Sequence, residues 1–246
     1  MRKIIAIIPA RYQSSRFPGK PLALICGKPM IQWVYERTKR VEEIQDVFVA
    51  TDDDRIRECV ESFGGKSLMT LSTHESGTDR IAECVDLLKL SEEDIVLNIQ
   101  GDEPLIKEDM ILDLISTMKQ NVDMGTLKEH IISNDDIENT NIVKVVTDIN
   151  GNAMYFSRYP IPYNRGNIEE VNYYRHVGVY AYKAKFLREY IKLPKSQYET
   201  IECLEQLRAL ENGYIINVKE TTCSSIGVDV PEQIQQVEKL ILQDKQ

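Results

Sequence analysis

The chain has 246 residues and 42% hydrophobic content, enough for one large domain or a domain with a lobe. Its 39 acidic and 30 basic residues leave a formal charge of −9, which argues against a surface that grips a nucleic-acid backbone. Twelve Gly and nine Pro spread along the chain exclude collagen-like and low-complexity classes, and the apolar run Ile4 to Ile8 is far short of the ~20 residues that span a bilayer. That run is also too short for a signal-peptide core, and Pro9 and Arg11 follow it at once, so a soluble cytoplasmic protein without membrane insertion is expected. The five cysteines are odd in number and none has Cys-x-x-Cys spacing, which fits reduced, mostly buried thiols.

Short apolar runs alternate with segments of helical period. Ile4–Pro9 is wholly apolar, as expected of a strand covered on both faces. Met30–Arg40 reads as a helix and Asp46–Ala50 as a second strand, ending at Thr51-Asp52-Asp53-Asp54. A helix through Ile56, Val60 and Phe63 stops at Gly64-Gly65. Lys66–Thr70 is a third short strand, followed by a helix through Ile81, Val85 and Leu88. Ile95–Gln100 is a fourth strand, and after Gly101-Asp102-Glu103-Pro104 another helix runs to about Met118. This strand–helix alternation predicts an α/β fold with a parallel sheet and helices on both faces.

After Asn121 strand-like pieces crowd together: Met124–Leu127, Ile142–Thr147, Ala153–Phe156 and Val177–Tyr182. Asn150-Gly151 reads as a hairpin turn between two of them. A helix over Thr200–Glu211, a strand over Tyr214–Val218 and a final helix from about Pro231 complete the chain. There is no internal repeat and no linker-like tract. The expectation is a single domain over 1–246, with residues 1–120 mainly binding a nucleotide and residues 121–246 forming a second half that extends the sheet.

In open α/β sheets ligands bind outside the carboxyl ends of the strands. The first loop there, Pro9–Lys20, puts the cations Arg11, Arg16 and Lys20 and the hydroxyls of Ser14 and Ser15 directly after a buried strand. Such a loop can cradle a nucleoside triphosphate with backbone N–H groups and cationic side chains, or simply be a solvated basic loop. It is neither a dinucleotide fingerprint nor a P-loop. Asp102 falls just past an apolar strand, where a carboxylate can hold Mg²⁺ or cap the following helix. Ser76-Gly77-Thr78-Asp79-Arg80 opens a helix; Ser76 and Thr78 read as caps, and the free N–H groups with Arg80 could meet an anion. His74, His130 and His176 lie far apart and show no metal-ligand spacing. Glu205, on a helical segment, reads as a solvated residue or a partner of Arg208 at i,i+3.

The segment Ile8-Pro9-Ala10-Arg11-Tyr12-Gln13-Ser14-Ser15-Arg16-Phe17-Pro18-Gly19-Lys20-Pro21-Leu22 resembles the opening motif of the 3-deoxy-manno-octulosonate (Kdo) cytidylyltransferase family. So do Ala50-Thr51-Asp52-Asp53, Ser76-Gly77-Thr78-Asp79-Arg80 and Asn98-Ile99-Gln100-Gly101-Asp102-Glu103-Pro104-Leu105-Ile106. In the later half the resemblance continues through Val143–Val146, Tyr155–Arg158, Pro160–Tyr163, Arg175–Tyr182, Leu204–Arg208 and Gly227–Glu232. It implies a Rossmann-like, mostly parallel nucleotide-binding sheet of the nucleotide-diphospho-sugar transferase type, with a smaller sugar-binding and dimerisation lobe. It also implies transfer of CMP from CTP to the anomeric hydroxyl of Kdo with release of pyrophosphate, a Mg²⁺ requirement, a cytoplasmic homodimer, and a product used for lipopolysaccharide or capsule.

Carried over by position, the resemblance assigns Arg11, Ser14, Lys20 and Arg80 to the nucleotide. Asp102 and Asp229 become metal ligands that act with Lys20 in catalysis. Gln100, Arg158, His176, Tyr180, Glu205 and Gln206 become the sugar pocket, with Arg158 facing the Kdo carboxylate. Two carboxylates converging without a cation would repel each other. The chain departs from the family at Phe17, where Leu is frequent, at Tyr163, where Trp is more usual, and at Val230, where Thr is common. A related ulosonic acid such as 8-amino-Kdo or a sialic-acid-like sugar is the alternative substrate, and a non-catalytic nucleotide-binding regulator the alternative class.

Overall fold

The computed structural model describes residues 2–13 and 16–243. The first strand, β1 (Ile4–Pro9), buries Ile5 through Ile8 and is covered on both faces, which is why it reads as an unbroken apolar run. A hairpin of β2 (Leu24–Ile25) and β3 (Lys28–Pro29) precedes α1 (Met30–Lys39). Then come β4 (Asp46–Thr51), α2 (Asp54–Ser62), β5 (Ser67–Met69), α3 (Gly77–Leu87), β6 (Ile95–Asn98) and α4 (Glu108–Ser116). The later half contributes β7 (Met124–His130), α5 (Asn134–Glu138), β8 (Lys144–Thr147), β9 (Ala153–Ser157) and β10 (Tyr174–Lys183). It ends with α6 (Ala184–Tyr190), α7 (Gln197–Glu202), α8 (Gln206–Glu211), β11 (Ile216–Glu220) and α9 (Gln233–Gln243).

One sheet runs through both halves in the order β11-β7-β10-β6-β1-β4-β5, and the β8–β9 hairpin joins it through β10. β6, β1, β4 and β5 pair in parallel, as the strand–helix alternation predicts. β10 is antiparallel to both β6 and β7, while β11 is parallel to β7. Every strand along that order except β10 therefore points the same way, and the carboxyl ends of the parallel strands share one edge.

Alternate residues of the strands serve two cores. Ala6, Ile8, Val47, Val49 and Leu97 pack with α1, α2 and α4 on one face. Ile5, Ile7, Val96 and Tyr182 pack with α3, α6 and α8 on the other. A third cluster joins Ile25, Met30 and Trp33 to Leu105, Val228, Val237 and Ile241, fastening α9 beside the β2–β3 hairpin. Among the described residues, no helix is long and apolar enough to cross a membrane.

The single helix expected over Thr200–Glu211 is two. α7 stops at Cys203, whose φ of 52° is left-handed, and α8 starts at Gln206. Tertiary bonds explain the break. Arg158 Nε donates to the Glu202 carbonyl at 2.7 Å, Arg158 Nη2 donates to that of Cys203 at 3.3 Å, and Tyr190 Oη donates to that of Glu205 at 2.7 Å. The Glu202 and Cys203 carbonyls are thereby taken from the helical ladder, while that of Glu205 also accepts from the Arg208 N–H at 3.1 Å. The short hairpin β2–β3 and the helix α6 lie in stretches where periodicity gave no signal.

Candidate active site

Two loops meet at the carboxyl ends of β1 and β6. The β1 loop turns back at Gly19, whose N–H donates to the Tyr12 carbonyl at 2.8 Å. Its φ of +71° is left-handed, and a Cβ there would press the Tyr12 ring at 3.2 Å, so glycine suits both demands. At the end of β6, Gly101 comes so close to β1 that a Cβ would lie 2.9 Å from the Pro9 carbonyl oxygen. These two glycines bring Lys20 and Asp102 together.

Lys20 Nζ donates to Asp102 Oδ2 at 2.6 Å and lies 3.7 Å from Asp229 Oδ1. Arg16 Nη2 reaches the same Asp229 oxygen at 3.3 Å. Asp229 arrives from far along the chain. The Val228 N–H donates to the Asp102 carbonyl at 2.9 Å, and Val228 is buried in the cluster under α9. The repulsion expected between the two carboxylates is met by the Lys20 ammonium standing against both. Beside them, desolvation and the Asp102 charge push the Glu103 carboxyl up to about 7.

A cleft of 380 Å³ opens over this cluster, lined by Arg11, Gln13, Arg16, Lys20, Gln100 and Asp102 among others. Ser14, expected here, lies outside the described residues. Arg80 stands elsewhere. It is 1% exposed, 3.2 Å from Asp52 Oδ2, and donates to Thr70 Oγ1, so it braces the ends of β4 and β5 from within instead of lining the cleft. Its place in the first turn of α3 turns its side chain toward the core, a direction that the expected helix start at Ser76–Arg80 does not specify.

The second cavity, 280 Å³, shares Pro9 and Gln100 with the first and lies on the α3–α6–α8 face of the sheet. Tyr180, Glu205 and Gln206 line it, together with Thr78, Asn98 and Tyr182. Gln100 Nε2 donates to the Gly178 carbonyl at 3.0 Å, which fixes the amide at the junction. Thr78 Oγ1 donates to Glu205 Oε2 at 3.0 Å. Ser76 is the cap of α3, in a reciprocal box with Asp79, so the hydroxyl of Thr78 is left for the pocket. Enclosure raises the Glu205 carboxyl above its ordinary value, against the lowering effect of the Thr78 bond and the Arg208 charge. Arg208 itself pairs with Glu199, at 2.7 Å from Nε to Oε2, and not with Glu205 as i,i+3 spacing suggested.

His176 lies behind this pocket on β10. Its ring packs between Phe156 and Tyr180, with centroids at 5.1 and 5.4 Å, and Nε2 meets Thr126 Oγ1 at 3.0 Å. Desolvation pushes its pKa down to about 3, so the imidazole is neutral. Burial likewise raises the phenols of Tyr180 and Tyr182. Arg158 differs from expectation. Besides the two carbonyls at the α7–α8 break, its Nη1 donates to the Thr140 carbonyl at 3.2 Å. The guanidinium expected against a carboxylate instead secures the wall that carries Leu204 and Glu205. None of the described residues lining the second cavity is a cation.

Sequence reasoning assigned Arg16 no site role beyond loop charge and Thr78 none beyond capping. Arg16 was visible as a third loop cation, and Thr78 was masked by its capping position. Among the described residues no group of three or more His, Cys, Asp or Glu side chains is placed to hold a metal ion. The Asp102–Asp229 pair still fits Mg²⁺, which takes one or two protein carboxylates plus substrate phosphates. Both carboxylates already face one cation, the Lys20 ammonium.

A family model described as cytidylyltransferase matches residues 5–222. A 3-deoxy-manno-octulosonate cytidylyltransferase from Thermodesulfovibrio yellowstonii is 54% identical over 248 aligned residues, covering 96% of this chain and 97% of that protein. An 8-amino-3,8-dideoxy-manno-octulosonate cytidylyltransferase from Shewanella pealeana is 49% identical, covering 94% of this chain and 95% of that one. A solved structure of CMP:2-keto-3-deoxy-manno-octonic acid synthetase complexed with CTP superposes with a TM-score of 0.93 at 44% identity, covering 98% of this chain and 99% of that chain.

Proposed function

The chain belongs to the cytidylyltransferase family, and we propose from that membership and from its site that it transfers CMP from CTP to 3-deoxy-manno-octulosonate, releasing pyrophosphate. The observation that carries this reading is the junction of the two cavities. A cleft of cations and carboxylates, suited to a triphosphate, shares Pro9 and Gln100 with a pocket of hydroxyls and amides, suited to a sugar. A donor phosphorus and an acceptor hydroxyl can meet there.

The reaction forms the bond from the anomeric oxygen to the α-phosphorus, breaks the bond from that phosphorus to the pyrophosphate oxygen, and releases the proton of the anomeric hydroxyl to solvent. Catalysis of such a transfer rests on alignment and on neutralising phosphate charge. Arg11, Ser14 and Lys20 bind the phosphates, with Arg16 beside them. Asp102 and Asp229 would hold Mg²⁺, which when bound supplies positive charge to the triphosphate and the leaving pyrophosphate. Lys20, which faces the same two carboxylates, would offer its ammonium to a phosphate oxygen of the triphosphate. Gln100, Tyr180, Glu205 and Gln206 orient the sugar, and Thr78 sets the Glu205 carboxylate. His176, neutral and packed, positions Tyr180. Arg158 and Arg80 act from behind the walls, on the α7–α8 break and on the ends of β4 and β5 respectively.

The protein is further proposed to work in the cytoplasm as a homodimer, its product serving lipopolysaccharide or capsule assembly. Tyr159, Tyr163 and Ile168 stand exposed at 70%, 83% and 63% along the 158–173 segment, apolar surface of the kind a second copy covers. Pyrophosphate release from CTP, tested with Kdo, 8-amino-Kdo and a sialic acid, checks the reaction. Kdo is expected to react best. Preference for the 8-amino sugar would move the chain to the substrate named for its Shewanella relative, and preference for ATP or GTP over CTP would refute the nucleotide assignment.

A further inference from the structure

Two side-chain amides in the second cavity hold polar atoms that make no hydrogen bond within the protein. Asn98 is the last residue of β6, 3% exposed, and its Oδ1 has no partner. Gln206 is the first residue of α8, 4% exposed, and its Nε2 has none. Both residues line the cavity. An orphaned buried acceptor or donor is disfavoured in a folded protein unless something else completes it. Here one atom is an acceptor and the other a donor, on two residues that line one cavity. A hydroxyl satisfies either, because it donates and accepts.

Asn98 is held for such a contact. Its register partner in the antiparallel β6–β10 pair is Tyr180, so the two side chains share one face of the sheet. It also lines the cavity together with Tyr182, whose phenol it lowers against the effect of burial. The neighbouring Gln100 shows the contrast, since its amide nitrogen is tied to the Gly178 carbonyl.

We propose that Asn98 is a further substrate-contacting residue, whose side-chain oxygen accepts a hydrogen bond from a hydroxyl of the polyhydroxylated acid and so sets specificity for that hydroxyl. The inference rests on the reading of this cavity as the sugar pocket. A site built to bond a hydroxyl rejects the analogue lacking it, because its own buried group is then stranded.

The test uses the full chain, CTP, the octulosonic acid and a panel of its single-deoxy analogues. Asn98→Leu removes the acceptor at similar volume, and Asn98→Ser is made in parallel so that a folding defect in one variant leaves the kinetics readable in the other. The expected result is a rise of about tenfold or more in KM for the sugar, with KM for CTP changed by less than about twofold. Wild-type enzyme is also expected to favour the parent sugar over one deoxy analogue by about tenfold or more, and the variants to lose that preference. A merely structural asparagine would not alter the ratio. If Gln206→Leu raises KM for the sugar while the Asn98 variants keep wild-type KM and wild-type preference, the Asn98 inference is overturned alone. If all of these variants leave the sugar's KM unchanged, the sugar-pocket reading falls with it.

Discussion

The two cavities share Pro9 and Gln100 yet are lined by opposite kinds of group. On the β1-loop side, formal charges face one another across short distances: Lys20 to Asp102 at 2.6 Å, Arg16 to Asp229 at 3.3 Å. On the β10 side the groups are neutral or tied down. His176 is uncharged, the phenols of Tyr180 and Tyr182 hold their protons, and Glu205 accepts from Thr78. The difference teaches what each ligand demands. A triphosphate needs charge, which is strong and tolerant of direction. A sugar needs donors and acceptors placed one by one, which work best where water is excluded and the groups cannot relax.

Four predictions press on that contrast. The largest effect falls on the charged side. Asp102→Asn and Asp229→Asn are each expected to lower turnover by about two orders of magnitude or more, since removing even an outer-shell partner of a metal site costs about 10–100-fold. The double variant should be little worse than either single one, because groups acting as a unit are not additive. Steady-state kinetics across a Mg²⁺ titration measure this, and near wild-type turnover in either single variant would remove that residue from the metal site. Next, Lys20→Ala should weaken use of CTP by about 1.5–3 kcal/mol while leaving KM for the sugar close to its original value. An equal rise in both KM values would dissolve the distinction between the cavities.

On the neutral side the effects are smaller and indirect. Arg158→Ala strips two hydrogen bonds from carbonyls at the α7–α8 break and one from the Thr140 carbonyl. It should cost about 1–3 kcal/mol of stability and raise KM for the sugar more than for CTP. A thermal melt beside the two KM values separates this wall-holding role from direct contact with a carboxylate, which would change KM without changing the melting temperature. Last, His176 carries a pH signature. Its pKa falls from 6.5 to about 3 on folding, so the unfolded chain binds the proton more tightly. Its contribution to stability is complete above pH 6.5 and is lost as the pH falls from there toward 3, by at most about 1.4 kcal/mol per pH unit. Chemical denaturation of wild-type and His176→Gln protein between pH 4 and 7 should show a shallower slope in the variant, and identical slopes would refute the neutral-imidazole description.

Local chemistry was legible in the chain. The apolar run of β1, the strand–helix alternation through α4 and the Asn150-Gly151 turn follow from periodicity and turn residues, because each depends on neighbours within a few positions. The cations of the Pro9–Lys20 loop and the carboxylate of Asp102 could be placed at strand ends for the same reason. Which of these groups touch was decided by the tertiary structure alone. Asp229 reaches Lys20 because Val228 is buried under α9 and bonded to the Asp102 carbonyl, a closure of the far chain end that no local spacing encodes. Arg80 and Arg158 look in sequence like ligand-binding cations, but burial against Asp52 and capture by backbone carbonyls put them to work inside the walls. The break at Cys203 has the same origin: helical periodicity continues through it, and the side chain of Arg158, brought from another element, takes the Glu202 and Cys203 carbonyls a continuous helix would need. Periodicity records which face of an element is apolar; it does not record which distant polar group will compete for its backbone, and that competition is settled only when the chain packs.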